Sequence, residues 1–332
     1  MKPPDMDAPP QPFATSAPRR QSRVGFIVGP TGVGKSAFAL DLADRLGAEV
    51  VNADSRQVYR GMDIGTAKPT PAERHRVPHH LIDIRSPDEP LDAATFASLA
   101  HAAIAEIAAR RRSALVVGGS GLYLRVLRDG IFDGPAASPA LRGELYASGR
   151  DHGVPYLHAQ LREADPASAA WISPNDRTRI VRALEVFRLT GMTISEHHRR
   201  HNFARREYES LTVGLEMERG RLYDTINRRF EAMVADGMVE ETRRLMAAGL
   251  AVDRAPLSTI GYRQIAAFIR GELDLKRAIE LAQRDSRRFA KRQLTWFRRD
   301  PDVVWLDAGR GIEQALAWFN DFFSSGSTTA DG

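Results

Sequence analysis

The chain has 332 residues, of which 43% are hydrophobic and 27% charged, so it can bury a substantial core as one large domain or as one domain with an insertion. It contains no cysteine, which excludes a disulfide framework, a cysteine-ligated zinc site and a thiol nucleophile. The formal charge of +5 suits a polyanionic partner such as nucleic acid, although an arginine-rich composition gives the same excess without one.

The two ends of the chain differ in composition from the rest. Residues 1–22 are rich in Pro and polar side chains and residues 323–332 in small polar ones, so we predict a disordered leader and a disordered tail. The leader lacks the apolar stretch of a secretion signal, and no apolar run is long enough to span a membrane. We therefore expect a cytoplasmic protein without a membrane partner. Because no heptad repeat is evident, we expect a monomer.

The first predicted elements are a strand, a glycine-rich loop and a helix. The run RVGFIV (residues 23–28) is β-rich, and the apolar residues of KSAFALDLADRLG (35–47) recur at helical spacing. The loop GPTGVGKS between them matches G-x-x-x-x-G-K-[ST] in full. Such a loop binds anionic oxygens through its N–H groups, while Lys35 neutralises charge and Ser36 holds Mg²⁺. The predicted phosphate-binding residues are Gly29, Pro30, Thr31, Gly32, Val33, Gly34, Lys35 and Ser36.

The following segments alternate between strand and helix patterns. Strands are predicted at 48–55, 79–84 and 113–119, with a helix over 95–112. Alternation of this kind predicts a parallel α/β sheet with helices on both faces. Ligands gather at the carboxyl ends of such strands. Gly29, Asp54 and residues 118–120 follow strand ends, so we expect them to surround one crevice.

The strand pattern then stops, and residues 139–206 are polar with helical periodicity. We predict a helical insertion domain over this range, between two parts of the core at 23–138 and 207–322. A strand at 209–217 returns the chain to the sheet. Long helical stretches at 221–250 and 275–299 follow, and a last strand is predicted at 303–308.

A phosphate-binding loop does not by itself identify the reaction. An ATPase or kinase normally adds an acidic residue after an apolar strand to orient Mg²⁺. The strand at 113–119 ends in Gly-Gly-Ser, whereas LIDIR offers Asp83 after another strand. Asp54 also ends an apolar strand, where a carboxylate can accept a proton from a nucleophile or can simply cap a turn. Both interpretations remain open from the residues alone.

Longer sequence motifs narrow the choice of reaction. GPTGVGKS, DSRQVYRGMDIGTAKP, PHHLIDI, VVGGSGLY, PNDRTRIVRALEV, STIGYRQ and AKRQLTWFRR, in this order, resemble tRNA dimethylallyltransferases, also called tRNA isopentenyltransferases, over about residues 24–308. The resemblance implies a P-loop NTPase-like fold and transfer of a dimethylallyl group from dimethylallyl diphosphate to N6 of the adenosine just 3′ of the anticodon, in tRNAs that read codons beginning with U. It also implies the release of diphosphate, Mg²⁺ as cofactor and the tRNA anticodon stem-loop as partner.

The resemblance further assigns catalytic roles, to Asp54, Ser120, Lys35 and Arg142. Asp54 would take a proton from the attacking amine, and Lys35 would stabilise the departing diphosphate held by residues 29–36. Ser120 stands where the family usually has Thr, so the hydroxyl is kept without its methyl group. Arg142 matches an arginine that contacts substrate near the reaction centre.

Contacts with tRNA are implied at three places besides Ser120 and Arg142. Arg179 and Arg182 lie three residues apart on one predicted helix face, with Arg177 near its start, which suits backbone phosphates but also fits a solvated charged face. The implied tRNA-binding residues are Asp54, Ser55, Arg56, Gln57, Ser120, Arg142, Thr178, Arg179, Ile180, Val181, Arg182, Ser258, Thr259, Ile260, Gly261, Tyr262 and Arg263.

The stretch RDSRRFAKRQLTWFRR, residues 284–299, combines cations with aromatic side chains. The cations Arg287, Arg288, Lys291 and Arg292 are further candidates for RNA contacts. Phe289, Gln293, Trp296 and Phe297 share one helical stripe, which predicts core packing. The segment EHHRRH, residues 196–201, contains three histidines, which are candidate metal ligands. A solvated linker is the favoured interpretation of this segment.

Three other functions remain compatible with parts of the sequence. A small-molecule kinase or ATPase on the same fold would turn over ATP and would not need an arginine-rich insertion. A non-catalytic RNA-binding protein would have a decayed loop, which the intact Lys35, Ser36 and Asp54 disfavour. An adenylate isopentenyltransferase, which prenylates free AMP, ADP or ATP, should lack the RNA-facing residues of RTRIVR.

Overall fold

The computed structural model of the chain describes residues 22–130, 134–201, 206–252 and 256–325, so most of the predicted leader and tail lie outside it. Within these ranges six strands form one sheet. They are β1 (Arg23–Val28), β2 (Glu49–Asn52), β3 (His79–His80), β4 (Ala114–Gly118), β5 (Glu209–Glu216) and β6 (Val303–Asp307). Their order is β3-β2-β4-β1-β5-β6, and every neighbouring pair is parallel. The predicted parallel α/β sheet is confirmed.

Helices surround this sheet. They are α1 (Lys35–Leu46), α2 (Pro71–Arg76), α3 (Ala93–Ala109), α4 (Gly121–Asp129), α5 (Pro139–Asp151), α6 (Val154–Ala164), α7 (Pro166–Trp171), α8 (Arg177–Thr190), α9 (Ile194–His201), α10 (Arg219–Ala235), α11 (Met238–Ala247), α12 (Tyr262–Ile269), α13 (Leu275–Phe297) and α14 (Ile312–Ser324). In the part of the chain that the structure describes, none of these helices is long and apolar enough to cross a membrane.

The central strand β1 is apolar on both faces. Phe26 packs in one hydrophobic cluster with Phe96 of α3. The next residue, Ile27, packs in a second cluster with Leu42 of α1 and Phe319 of α14. Successive strand residues point to opposite faces of a sheet, so both faces of β1 are covered by helices. The polar groups of the site can therefore gather only at the strand ends.

The third predicted strand is shorter than its sequence pattern suggests. β3 has two residues, because Leu81 (φ 62°) and Asp83 (φ 57°) adopt the left-handed conformation and end the strand. Asp83, a possible magnesium ligand by sequence, instead forms ion pairs with the buried Lys68 and with Arg74. Burial raises the pKa of Asp83, but its hydrogen bonds with these two cations lower it below the usual value.

Helix boundaries also differ from the predicted ones. The helical stretch 221–250 is two helices, α10 and α11, because Gly237 between them has a φ of 104°. Four helices, α2, α4, α12 and α14, have no counterpart among the predicted elements. Helix α2 begins at a capping box in which Thr70 and Glu73 bond each other's backbone. The last helix, α14, continues to Ser324, past the predicted end of the core at residue 322.

Helices α5 to α9 have a hydrophobic cluster of their own. Glu185 of α8 is completely buried beside it. Its carboxylate accepts hydrogen bonds from the backbone N–H of Ser138 (2.8 Å) and from Arg142 (2.9 Å). Arg182 is a third donor, at 2.7 Å. Glu185 thus fastens the start of α5 to α8. The buried cluster contains Leu145, Leu157, Leu161, Ile172, Ile180, Val181, Ala183 and Leu184.

The loop at residues 59–69 is held by Glu241 of α11. The Glu241 carboxylate is buried and accepts three consecutive backbone N–H groups of residues 63–65, at 2.9–3.0 Å, and the hydroxyl of Tyr262 at 2.6 Å. A Cβ on Gly65 would lie 2.5 Å from the Tyr262 ring, so the loop packs directly on α12. Burial raises the pKa of Tyr262, and the nearby Glu241 carboxylate raises it further. The DIGTAKP and IGYRQ segments are therefore in contact in the folded chain.

We predict that Glu241→Gln lowers the free energy of unfolding by about 2–4 kcal/mol, because one carboxylate oxygen becomes an amide N–H₂ that faces backbone donors. The measurement is urea unfolding followed by circular dichroism. Glu240→Gln is the matched control, since Glu240 is exposed and forms an ion pair with Arg243 that spans 3.7 Å. We expect the control to change stability by less than about 0.5 kcal/mol. Equal losses in the two variants would contradict the anchoring role of Glu241.

Candidate active site

The glycine-rich loop follows β1 and leads into α1. Gly29, Gly32 and Gly34 have positive φ values of 149°, 83° and 95°. A Cβ on Gly29 would lie 2.7 Å from the carbonyl oxygen of Leu215, and one on Gly32 would lie 2.6 Å from the side chain of Ile226. These positions therefore require glycine. The loop presents the N-terminus of a 12-residue helix, which attracts anions, to the carboxyl edge of the sheet.

Lys35 folds back over this loop. Its ammonium group donates a hydrogen bond to the Pro30 carbonyl at 2.8 Å. Burial lowers the pKa of Lys35 to about 8; the Asp54 carboxylate acts against this shift and the Arg229 guanidinium adds to it. The approach of a further anion would therefore stabilise the charged form of Lys35.

Asp54 lies two residues beyond β2. One carboxylate oxygen accepts the backbone N–H of Arg56 at 2.8 Å, and the Asp54 N–H donates to the Asn52 side chain at 3.2 Å. Asp54 therefore does cap a turn. The other carboxylate oxygen accepts no hydrogen bond from the described residues, and the carboxylate interacts with both Lys35 and Arg229. The cap orients the carboxylate and leaves one oxygen able to accept a proton.

Arg229 of α10 is a site residue that the sequence motifs do not include. It is half-buried and forms no hydrogen bond or ion pair within the described residues. Burial lowers the pKa of Arg229, and Asp54 partly opposes that shift. Ile226, Phe230 and Met233 of the same helix are buried. The sequence feature that could have identified Arg229 as a site residue is its position on the apolar stripe of this helix.

Ser120 joins two strand ends. Its hydroxyl accepts the backbone N–H of Ser55 at 3.1 Å, so the turn after β4 is tied to the turn after β2. Just before it, a Cβ on Gly118 would lie 2.2 Å from the Ala53 carbonyl oxygen. The Gly-Gly-Ser turn therefore needs glycine for close approach, and its hydroxyl positions the backbone beside Asp54.

Gln293 of α13 ties the same turn to the glycine-rich loop. Its side-chain oxygen accepts the Thr31 N–H and its amide N–H₂ donates to the Gly119 carbonyl, each at 2.8 Å. The side chain is buried. A polar residue within the predicted apolar stripe of this helix was the only sequence signal for this role.

Two cavities meet at these residues. The loop cavity, of about 330 Å³, contains Gly34, Lys35 and Ser36 in its wall. The large cavity, of about 680 Å³, lies beyond it and reaches Trp296. The residues that line both cavities are Thr31, Gly32, Asp54, Thr66, Gly119, Arg229, Phe289 and Gln293. A phosphate in the loop cavity and an organic group in the large cavity would therefore meet beside Asp54 and Arg229.

Many residues with an implied tRNA role line the large cavity. Gln57 instead lines the loop cavity and donates to the Thr66 and Ala67 carbonyls, and Arg263 forms an ion pair with Asp285 at 3.0 Å. Gly261 lines neither cavity and caps α12. The implied residues in the wall of the large cavity are Asp54, Ser55, Arg56, Ser120, Ser258, Thr259, Ile260 and Tyr262.

The implied contacts in the insertion lie away from both cavities. Arg142 and Arg182 are bound to Glu185, and neither lines a cavity wall. Ile180 and Val181 belong to the buried cluster of α5 to α9, so their side chains are inaccessible to tRNA in this conformation. Of residues 178–182, only Thr178 and Arg179 are exposed.

The aromatic stripe of α13 is only partly core. Phe297 is buried as predicted, but Phe289 and Trp296 are each 38% exposed and line the large cavity. The expectation of a fully buried stripe was wrong because the cavity interrupts the packing on this face. Among the neighbouring cations, Arg287 donates to Asn227 at 2.6 Å, and Arg292 lies over the Phe289 ring.

The EHHRRH segment is helical and not a linker. His197 and His198 lie on α9, and both have interaction partners. Among the described residues, no group of three His, Cys, Asp or Glu side chains is arranged to hold a metal ion.

Ser36 remains the candidate magnesium ligand. Its hydroxyl lies at the start of α1, is exposed and lines the loop cavity. Mg²⁺ often keeps several waters and binds one or two protein oxygens together with substrate phosphates. A single hydroxyl beside a phosphate-binding loop fits an ion of this kind, which would be bound jointly with an anion.

Known proteins resemble this chain over most of its length. A family model described as IPP transferase matches residues 57–300. The tRNA dimethylallyltransferase 2 of Syntrophus aciditrophicus is 48% identical over 291 residues, which are 88% of this chain and 94% of that relative. The tRNA dimethylallyltransferase of Syntrophobacter fumaroxidans is 50% identical over 285 residues, 86% of this chain and 83% of that one.

Solved structures agree with these matches. A tRNA isopentenylpyrophosphate transferase from Bacillus halodurans superposes with a TM-score of 0.69 at 40% identity, covering 93% of this chain and 98% of its own. A eukaryotic dimethylallyltransferase acting on tRNA gives a TM-score of 0.80 at 26% identity, covering 92% of this chain and 80% of its own. The resemblance inferred from the motifs is confirmed, and this chain belongs to the IPP transferase family of prenyltransferases.

Proposed function

We propose that the protein transfers the dimethylallyl group of dimethylallyl diphosphate to N6 of the adenosine just 3′ of the anticodon, in tRNAs that read codons beginning with U. The observation that carries the proposal is the position of the Asp54 carboxylate, beside Lys35 and Arg229 where the loop cavity and the large cavity meet. The relatives named above are tRNA dimethylallyltransferases by name, which supports the transfer of this group to tRNA. The reaction would take place in the cytoplasm with the protein as a monomer.

The diphosphate of the donor binds in the loop cavity. The N–H groups of the glycine-rich loop and the N-terminus of α1 face its oxygens, and Lys35 neutralises part of its charge. Thr31 and Val33 are exceptions among the loop residues, because their N–H groups are already bonded, to Gln293 at 2.8 Å and to the Pro30 carbonyl at 3.4 Å. Ser36 would hold Mg²⁺ beside this anion, and the ion would supply further charge stabilisation.

The dimethylallyl group extends from the loop cavity into the large cavity, where it meets the adenine. As the N6–C bond forms, the allylic C–O bond breaks and its electron pair leaves with diphosphate. The unbonded oxygen of Asp54 accepts the proton that N6 gives up. The growing negative charge on the leaving group is stabilised by Lys35 and Arg229, which otherwise share the single Asp54 carboxylate.

The adenosine reaches this site by leaving the stacked anticodon loop. Bases of such loops can be splayed out and bound on their edges. The polar wall of the large cavity, with Ser258, Thr259 and Arg56, offers hydrogen-bonding groups to an adenine edge. We assign residues 139–206 to a tRNA-contacting domain, in which Arg177 and Arg179 present exposed cations to backbone phosphates.

We predict that the purified protein with Mg²⁺ transfers labelled dimethylallyl to unmodified tRNA and not to AMP, because a free nucleotide offers none of the phosphate contacts of the stem-loop. The measurement is incorporation of label into each acceptor, with ATP hydrolysis monitored in parallel. Prenylation of AMP without reaction on tRNA would identify an adenylate isopentenyltransferase. ATP turnover without prenyl transfer would favour a kinase or ATPase.

We predict that Asp54→Asn lowers kcat by about 10²–10⁴-fold, because the amide cannot accept the N6 proton. The asparagine oxygen can still accept the Arg56 N–H, so the turn and tRNA affinity should be kept. Single-turnover transfer and filter binding measure the two quantities. Asp41→Asn, at a partly exposed carboxylate on α1 that pairs with Arg45 and Arg76, is the control and should retain activity. Loss of tRNA binding in parallel with kcat would assign Asp54 a structural role only.

We predict that affinity for magnesium diphosphate weakens above pH 8, where the Lys35 ammonium of the empty protein loses its proton. The lowered pKa of Lys35 means that its charge is fully present well below pH 8 and is lost as pH rises through that value. Well above pH 8, the affinity for magnesium diphosphate falls about tenfold for each further pH unit. Calorimetric titration from pH 7 to 9 measures the change, with Lys35→Ala reporting the titration of diphosphate itself. Parallel curves for the two proteins would exclude this role of Lys35.

A further inference from the structure

Trp296 separates the large cavity from another cavity behind it. This rear cavity, of about 330 Å³, lies between α4, α13 and the strands β1 and β5. Gly121, Trp296 and Phe297 line both cavities. Phe297 is buried in the hydrophobic core, whereas Trp296 is 38% exposed. The indole of Trp296 is therefore the partition whose removal would join the two cavities.

Gly121 fits the indole closely. A Cβ at this position would lie 2.3 Å from Nε1 and 2.4 Å from Cδ1 of Trp296. Distances this short mean that the ring lies directly on the Gly121 backbone, at the start of α4. The ring is thus held at the boundary and blocks passage from one cavity to the other.

The two flanks of the large cavity differ in chemistry. Asp54, Ser258 and Thr259 make one flank polar, and this flank suits the edge of a base. Phe289 and Trp296 of α13 contribute an apolar flank that suits a hydrocarbon. Phe289 also lines the loop cavity, whereas Trp296 does not. Trp296 follows Phe289 by seven positions on the helix, a rise of about 10 Å, so a prenyl chain that leaves the loop cavity along α13 runs towards Trp296.

The rear cavity is suited to accept a hydrocarbon once it is opened. Its wall includes the apolar side chains of Phe26, Val28 and Leu124. The charge of Arg128, which also lines it, is neutralised by Asp129 at 2.8 Å and by Asp300 at 2.7 Å. The wall also includes the charged side chains of Arg125 and Arg299, so a hydrocarbon that entered would lie along the apolar part of this cavity.

We propose that Trp296 sets the maximum length of the transferred prenyl group, stopping it at one isoprene unit by closing the large cavity against Gly121. This inference rests on the proposed function. Geranyl diphosphate has the same reacting atoms with one further isoprene unit, so its transfer breaks the same allylic C–O bond, forms the same N6–C bond and releases the same diphosphate. An indole is larger than an isoprene unit, so its removal makes room for the longer chain.

The test compares Trp296→Ala with the wild-type protein, using unmodified tRNA, Mg²⁺ and either dimethylallyl or geranyl diphosphate. Mass spectrometry of the digested tRNA identifies the product. We expect wild type to prefer dimethylallyl by at least about 100-fold, and Trp296→Ala to raise geranyl transfer by at least about tenfold. Trp296→Leu, which keeps more packing, is a second variant and should show a smaller gain. Thermal unfolding identifies any variant that fails to fold.

Phe289→Ala is the matched control. Phe289 lies on the same helix, has the same exposure of 38% and lines the large cavity, but it does not line the rear one. Its removal enlarges the site without opening the partition, so we expect no gain in geranyl transfer.

Folded Trp296 variants that transfer dimethylallyl but gain no geranyl transfer would overturn the inference and leave the proposed function intact. An equal gain in Phe289→Ala, or geranyl transfer by wild type at the dimethylallyl rate, would also overturn it. Failure of wild type to transfer dimethylallyl to tRNA would instead remove the proposed function, which makes the two failures distinguishable.

Discussion

The amide side chain of Gln293 determines how the parts of the site fit together. It accepts the Thr31 N–H of the glycine-rich loop and donates to the Gly119 carbonyl of the turn after β4. Gly119 has no room for a side chain, because a Cβ would lie 2.4 Å from the same amide. These two bonds fix α13 against the carboxyl edge of the sheet, so they also fix Phe289, which lines both the loop cavity and the large cavity, and Trp296, which lines the large one.

The charge arrangement at this junction favours an anion. Two cations, Lys35 and Arg229, face the single carboxylate of Asp54, and each has its pKa lowered by burial. Removing cations from water is costly unless a counter-charge compensates. A diphosphate would supply that compensation, and the compensation would increase as the diphosphate gains charge on leaving. The same arrangement keeps one oxygen of Asp54 available, because its other oxygen is used by the turn at Arg56.

Sequence patterns predict features formed by neighbouring residues, and they miss contacts between residues that are distant in the sequence. The loop at 29–36 and the strand-end position of Asp54 follow from residues that are contiguous in sequence. Arg229 and Gln293 act across long separations; Gln293 and its partner Thr31 are 262 positions apart in the sequence. Their only sequence signal is a polar side chain on an apolar helix stripe, and that signal identifies no partner. The strand at 79–84 was overpredicted because its apolar pattern hides the left-handed residues that end it.

The two arginines bound to Glu185 are not equivalent as contacts for substrate. Arg182 donates through both terminal nitrogens, to Glu185 and to the Pro135 carbonyl. Arg142 donates to Glu185 through Nε, and its side chain is 39% exposed. Breaking a buried ion pair costs about 3–5 kcal/mol, so both should keep their bonds to Glu185. Arg142 can do so with neither terminal nitrogen engaged by Glu185, whereas each terminal nitrogen of Arg182 already donates one hydrogen bond and has only its second N–H left for a phosphate. Glu185 therefore fixes Arg182 within the insertion and orients Arg142 outwards, which makes Arg142 the better candidate for contact with tRNA.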